Sequence, residues 1–133
     1  MRKIQILGLI IISMFALCAC TKKEETKMTY QMITMEEAKT IFETEGDYII
    51  LDVRRSDEFE SGHIPNAVNV PNEIIGDTEI EELPDKEQLI YVYCRSGNRS
   101  KQAAEKLVQM GYTNIIEFGG IMDWTGEVET GAK

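Results

Sequence analysis

The sequence predicts an α/β domain: a mainly parallel sheet of short strands with helices on both faces. Short β-branched or aromatic runs recur along the chain, and helical patterns stand between them. Strands separated by helices are joined by crossovers, which make neighbouring strands parallel and require cover on both faces. The chain has 133 residues, 43% of them apolar and 28% charged, which fits one ordinary globular domain and excludes a disordered, collagen-like or multi-span membrane chain.

The five predicted strands are Tyr30 to Ile33, Tyr48 to Val53, Ala67 to Val70, Leu89 to Tyr93 and Asn114 to Phe118. Between the first two, Thr34-Met-Glu-Glu37 has the spacing of a capping box and opens a helix through Phe42, with Gly46 beyond its end. Asn98 to Met110 gives the clearest helix. Its Ala103, Ala104, Leu107 and Val108 fall on one face, and Gly111 supplies the stop. In such sheets ligands sit beyond the carboxyl ends of the strands, so the chemistry is sought there.

The N-terminus differs from the rest. Arg2 and Lys3 precede an almost unbroken apolar run from Ile4 to Leu17, then small residues and cysteines, which is the layout of a bacterial secretory signal. The run is short for a transmembrane span. Leu17-Cys18-Ala19-Cys20 resembles the lipobox of bacterial lipoproteins, which implies cleavage before a lipid-bearing cysteine. Cys20 fits that position, with Ala19 before it and Leu17 three residues back, and Cys18 does not. The competing reading is an uncleaved anchor helix. Both place the domain at the cell membrane on its extracytoplasmic side. The expected division is a lipoprotein signal over 1–19, a lipidated polar tether over 20–27, and one folded domain over 28–133.

Net charge narrows the partners. Fourteen basic side chains face 23 acidic ones, a formal charge of −9, and loss of Arg2 and Lys3 with the signal takes this to −11. No basic stripe is present, so nucleic acid is excluded as a partner, and any bound anion depends on local positive charge. The acidic run Asp77, Glu79, Glu81, Glu82, Asp85 and Glu87 reads as a solvated face.

That local charge stands at the end of the fourth strand. Leu89-Ile-Tyr-Val-Tyr93 runs into Cys94-Arg-Ser-Gly-Asn-Arg-Ser100 and straight on into the helix. Unpaired N–H groups and the partial positive charge of a helix N-terminus act on this cysteine. Arg95 and Arg99 add full charges, and Gly97 lets the backbone curl so that successive amides turn inward. All three effects favour thiolate over thiol and cradle a small oxyanion against the sulfur. The bland alternative is an inert cysteine in a tight turn, which has no need of two arginines.

Cys94-Arg-Ser-Gly-Asn-Arg-Ser100 resembles the active-site loop of single-domain rhodaneses. Two further stretches agree: Leu51-Asp-Val-Arg-Arg-Ser-Asp-Glu-Phe-Glu-Ser-Gly-His-Ile-Pro-Asn-Ala67 resembles the family's segment after the second strand, and Gly119-Gly-Ile-Met-Asp-Trp124 its closing segment. The resemblance implies a rhodanese-like fold with a five-stranded parallel sheet, and sulfur transfer by double displacement. Cys94 would take sulfane sulfur from a small anionic donor such as thiosulfate and pass it, as a persulfide, to an external thiol or to cyanide. Arg95, Ser96, Gly97, Asn98, Arg99 and Ser100 would bind the donor, their amides stabilising the anions and the two arginines meeting the sulfonate. The resemblance implies no metal or organic cofactor, and the expected assembly is a monomer. Asn66 departs from the family, standing where glycine is frequent, and the tail after Trp124 is short.

Two competing functions are weighed on the loop. Cysteine-dependent phosphatases and arsenate reductases place an arginine six positions after the nucleophile; here Arg99 is five positions on and Ser100 holds the sixth. A non-catalytic, membrane-tethered module of the same fold would not be expected to keep the nucleophile and both arginines. Elsewhere Arg54 and Glu58 are spaced to pair across a helical turn, Asp52 to accept amides at a strand end, and Arg54 also to face the donor. His63, the only histidine, reads as structural, and Tyr91, Tyr93 and Trp124 as core. With Cys18 lost and Cys20 alkylated, Cys94 would be the only free thiol, leaving no resolving cysteine and requiring an external acceptor.

Overall fold

The computed structural model describes residues 29–132. The expected signal, Cys18, Cys20 and the tether, together with Met28 and Lys133, lie outside the described residues. The chain runs β1 (Gln31–Met32), α1 (Met35–Phe42), β2 (Tyr48–Asp52), α2 (Ser56–Ser61), β3 (Val68–Asn69), β4 (Leu89–Cys94), α3 (Asn98–Gln109) and β5 (Ile115–Gly120), with 3₁₀ turns at Asn72–Ile74 and Ile121–Asp123. The strands form one sheet in the order β1-β5-β4-β2-β3, every pair parallel. The five strands and two of the helices are those the sequence predicts, with ends shifted by a residue or two. The short helix α2 was not marked by periodicity, because it buries a single side chain, Phe59.

Local chemistry sets these elements. The Thr34 side chain accepts the Glu37 N–H, and the Glu37 carboxylate accepts the Thr34 N–H, so the capping box at the start of α1 is complete. At the other end of the domain α3 stops at Gly111, whose φ of 100° favours glycine. Asn66 also takes a left-handed conformation, φ 67°, which asparagine tolerates better than most side chains.

Alternation along the central strand divides the core. Tyr91 and Tyr93 join Phe118, Phe59, Met35 and Ala38 on one face, under α1 and α2. Ile90, Val92 and Cys94 join Ala103, Ala104 and Leu107 of α3 on the other. Both faces are therefore covered, as an all-parallel sheet requires. The register aligns Asp52 with Tyr93 and Cys94 with Gly120, so β2, β4 and β5 end together and Cys94 leaves the sheet on the α3 side. The acidic residues from Asp77 to Glu87 are all exposed.

Candidate active site

Gly97 makes the turn from the buried strand β4 into α3. It stands at the N-cap of α3 with φ 103°, and no side chain caps the helix there. The curl brings the Gly97 N–H to within 3.0 Å of the Cys94 sulfur, to which it donates. Cys94 is buried at 1% exposure and is the only cysteine among the described residues. Arg95, Ser96 and Asn98 are exposed, whereas Gly97 and Ser100 are buried.

The two loop arginines have different situations. Arg99 makes a bidentate pair with Glu58 of α2, at 2.7 and 2.9 Å. Those hydrogen bonds from Arg99 hold the Glu58 carboxyl at about 2, well below its ordinary value, so the pair is fully ionised at neutral pH. Arg95 forms no side-chain hydrogen bond or salt bridge among the described residues. Among the described residues, the positive charge free to meet an anion is thus that of Arg95, of Lys101 and of the helix terminus.

The spacing-based pairing of Arg54 with Glu58 is corrected. Glu58 goes to Arg99, and Arg54 turns back to Asp52 with Nη2–Oδ2 at 2.7 Å and Nε–Oδ1 at 3.0 Å, also donating to the Gly62 carbonyl at 2.7 Å. The Asp52 carboxylate accepts the Arg54 N–H at 2.9 Å, as its place at a strand end suggested. Arg54 is only 5% exposed and engaged on its inner side, so it braces the strand ends. His63 stacks on Phe59 with centroids 3.7 Å apart and its Nδ1 lies 2.8 Å from the Phe59 carbonyl, a structural position. Tyr93 is fully buried and its hydroxyl accepts the Ile64 N–H; burial pushes its phenol far up. Tyr91 is buried as well, while Trp124 is half-buried and donates to the Glu127 carbonyl.

Three contributors escaped the sequence reading. Glu117, on β5 and 3% exposed, accepts from the Ser100 hydroxyl at 2.6 Å and from the Gly119 N–H at 2.9 Å. Ser100 in turn lies 3.4 Å from the Cys94 sulfur. A carboxylate inside the apolar run Ile115 to Phe118 was the available signal. Gly120 packs against the loop backbone so closely that any side chain would strike Arg95 and Ser96, and the Met122 N–H donates to the Arg95 carbonyl at 3.2 Å. A groove of about 510 Å³ opens beside the loop, lined by Ser96, Gly97, Lys101, Glu117 and Gly119 together with Met32 and Thr34 of the sheet edge. Among the described residues no three His, Cys, Asp or Glu side chains gather as a metal site would require.

Comparisons with known proteins agree on this architecture. The family model for the rhodanese-like domain matches residues 34–127. The thiosulfate sulfurtransferase PspE of Escherichia coli is 36% identical over 73 residues, covering 55% of this chain and 70% of that protein. The adenylyltransferase and sulfurtransferase UBA4 of Candida albicans is 35% identical over 105 residues, covering 74% of this chain but 24% of that protein. The chain spans between 24% and 52% of the length of such longer relatives. Among solved structures, a rhodanese-like domain protein from Staphylococcus aureus superposes with a TM-score of 0.66 at 30% identity, over 77% of this chain and 99% of that one.

Proposed function

From the premise that this chain belongs to the rhodanese-like family, we propose that it is an extracytoplasmic sulfurtransferase that carries sulfane sulfur on Cys94. The observation that supports this most is the 3.0 Å hydrogen bond from Gly97 N–H to the Cys94 sulfur, in a loop that feeds an uncapped helix N-terminus. Such a site offers a nucleophile and, around it, donors for the anions that sulfur transfer creates.

The first half-reaction joins the Cys94 thiolate to the outer sulfur of thiosulfate. A new S–S bond forms, the donor's S–S bond breaks, and sulfite leaves with the electron pair, so charge is conserved. In the second, a thiolate or cyanide attacks the outer sulfur of the Cys94 persulfide and restores the thiolate, giving an acceptor persulfide or thiocyanate. The sulfonate end of the donor would meet Arg95 and the free amides of the first turn of α3. Arg99 is committed to Glu58, so its contribution is to hold the helix start against α2. With one cysteine among the described residues, the acceptor is external: a diffusible thiol, cyanide or a protein cysteine of the cell envelope. The lipid on Cys20 would keep a monomeric domain at the outer face of the membrane.

The test uses the full chain with thiosulfate and cyanide, following thiocyanate while mass spectrometry reads Cys94. Thiocyanate formation with a gain of one sulfur atom on Cys94, both lost in Cys94→Ser, is the expected result. A folded chain with a reactive Cys94 that yields neither overturns the thiosulfate reading.

A further inference from the structure

The loop is built to favour a thiolate, yet a second carboxylate besides Glu58 is buried next to it, and sulfur transfer as described above makes no use of it. We propose that Glu117, acting through Ser100, is a positioning residue that holds the resting Cys94 as a thiol. The inference rests on Cys94 being the nucleophile.

The hydrogen-bond chain has a direction. Ser100 has one hydroxyl proton and several acceptors in reach: Glu117 Oε1 at 2.6 Å, the Gly97 carbonyl at 3.0 Å and the Gly119 carbonyl at 3.4 Å. The contact to Glu117 has the length of a charge-assisted O–H···O⁻ bond and takes the proton. The oxygen then turns a lone pair toward the Cys94 sulfur, 3.4 Å away. In that orientation it accepts from an S–H and has nothing to donate to an S⁻. The carboxylate charge, two hydrogen bonds from the sulfur, also repels a second negative charge. Both effects favour the thiol, against the Gly97 N–H, the helix N-terminus and the nearby guanidinium groups.

No cation screens Glu117 directly: among the described residues it forms no salt bridge. The charged groups around it are Lys101 of α3, Glu37 of α1 and Asp123 after β5, all lining the same groove. Tyr30, just before β1, feels its charge, and its phenol is raised by burial first and then by Glu105 and Glu117. Across the loop stands the Arg99–Glu58 pair. A nucleophile with no second cysteine among the described residues to rescue it gains from this restraint, because the thiolate is the form that oxidants attack.

The test is the rate of iodoacetamide alkylation of Cys94 in the full chain as a function of pH, resolved by peptide mass spectrometry so that other cysteines do not contribute. A unit charge at this separation is worth on the order of one to two pH units. Glu117→Gln, which keeps the shape and the acceptor, should lower the midpoint by that amount and raise the rate at pH 7 about tenfold. Glu117→Asp, which keeps the charge on a side chain one carbon shorter, should bring the midpoint back toward the wild-type value. Ser100→Ala should also lower the midpoint, since the thiol loses its acceptor and the thiolate loses no donor. A midpoint unmoved or raised in a natively folded Glu117→Gln chain overturns the proposal. If that variant does not fold, Ser100→Ala decides: a raised midpoint would make Ser100 a donor to the thiolate and overturn it equally. Alkylation needs no sulfur donor, so failure of the sulfurtransferase reading would show as absent thiocyanate with this shift intact.

Discussion

Gly120→Ala should disable the loop without unfolding the domain. A Cβ there would stand 2.1 Å from the Arg95 carbonyl oxygen, 2.4 Å from its carbon and 2.6 Å from the Ser96 Cα, where ordinary contact begins at 3.4 Å. All three are backbone atoms, so no side chain can swing aside, and the segment has to retreat by roughly 1 Å. The backbone of Gly120 is extended, φ −129°, so the effect is one of space and not of conformational preference. The displaced residues lie between Cys94 and Gly97, and the 3.0 Å bond between them would be lost or stretched beyond usefulness. A misplacement of about 1 Å costs a catalytic group about 100-fold in rate, while overpacking of this kind costs about 1–3 kcal/mol in stability. The assay pairs thiocyanate formation with thermal unfolding. Gly111→Ala is the control: its φ of +100° makes it strained, costing about 1–2 kcal/mol, but nothing lies within 4 Å of the added methyl. It should melt earlier and turn over normally. A Gly120→Ala chain within threefold of the wild-type rate would refute the reasoning.

Other perturbations separate scaffold from chemistry. Arg54→Met leaves the fully buried Asp52 carboxylate without its cation and should cost about 3–5 kcal/mol, read by denaturant unfolding. Tyr93→Phe removes the acceptor of the buried Ile64 N–H and should cost about 1–2 kcal/mol by the same measurement, with the alkylation profile of Cys94 unchanged. The Glu58 carboxyl, held at about 2 chiefly by its hydrogen bonds from Arg99, is lower in the folded than in the unfolded chain. Its contribution is therefore full above the ordinary carboxyl range near pH 4.5 and is lost as pH falls toward 2. Glu58→Gln should flatten that part of the stability–pH curve, and an unchanged slope would argue against the pair.

What the sequence made legible was local. The Thr34 capping box, the Gly111 stop and the apolar face of α3 act within one or two turns, and the structure keeps them all. The turn from β4 into α3 around Cys94 was legible because seven consecutive residues, Cys94 to Ser100, carry it. Ion pairing was not, because spacing sees only neighbours along the chain. Arg54 and Glu58 are four apart, but the fold offers Arg54 a carboxylate on β2 and offers Glu58 a guanidinium 41 residues away. Glu117 and Gly120 reach Cys94 only through the parallel pairing of β4 with β5, which no local pattern encodes.

Those long-range contacts change the electrostatic character of the loop. Two arginines beside a cysteine suggest a strongly positive cradle, yet Glu58 neutralises Arg99 and Glu117 places a further carboxylate on the opposite side of Ser100. What remains positive is Arg95, exposed at the rim, Lys101 on the groove beside the loop, and the unpaired amides at the start of α3. In a chain of formal charge −9, little long-range field is left to draw an anion in. Recognition then falls to donors that act at hydrogen-bond distance, which depend on the position of the backbone rather than on the count of basic side chains. For that reason Gly120, which has no side chain and no charge, is expected to matter more to sulfur transfer than Arg99, whose charge is already spent on Glu58.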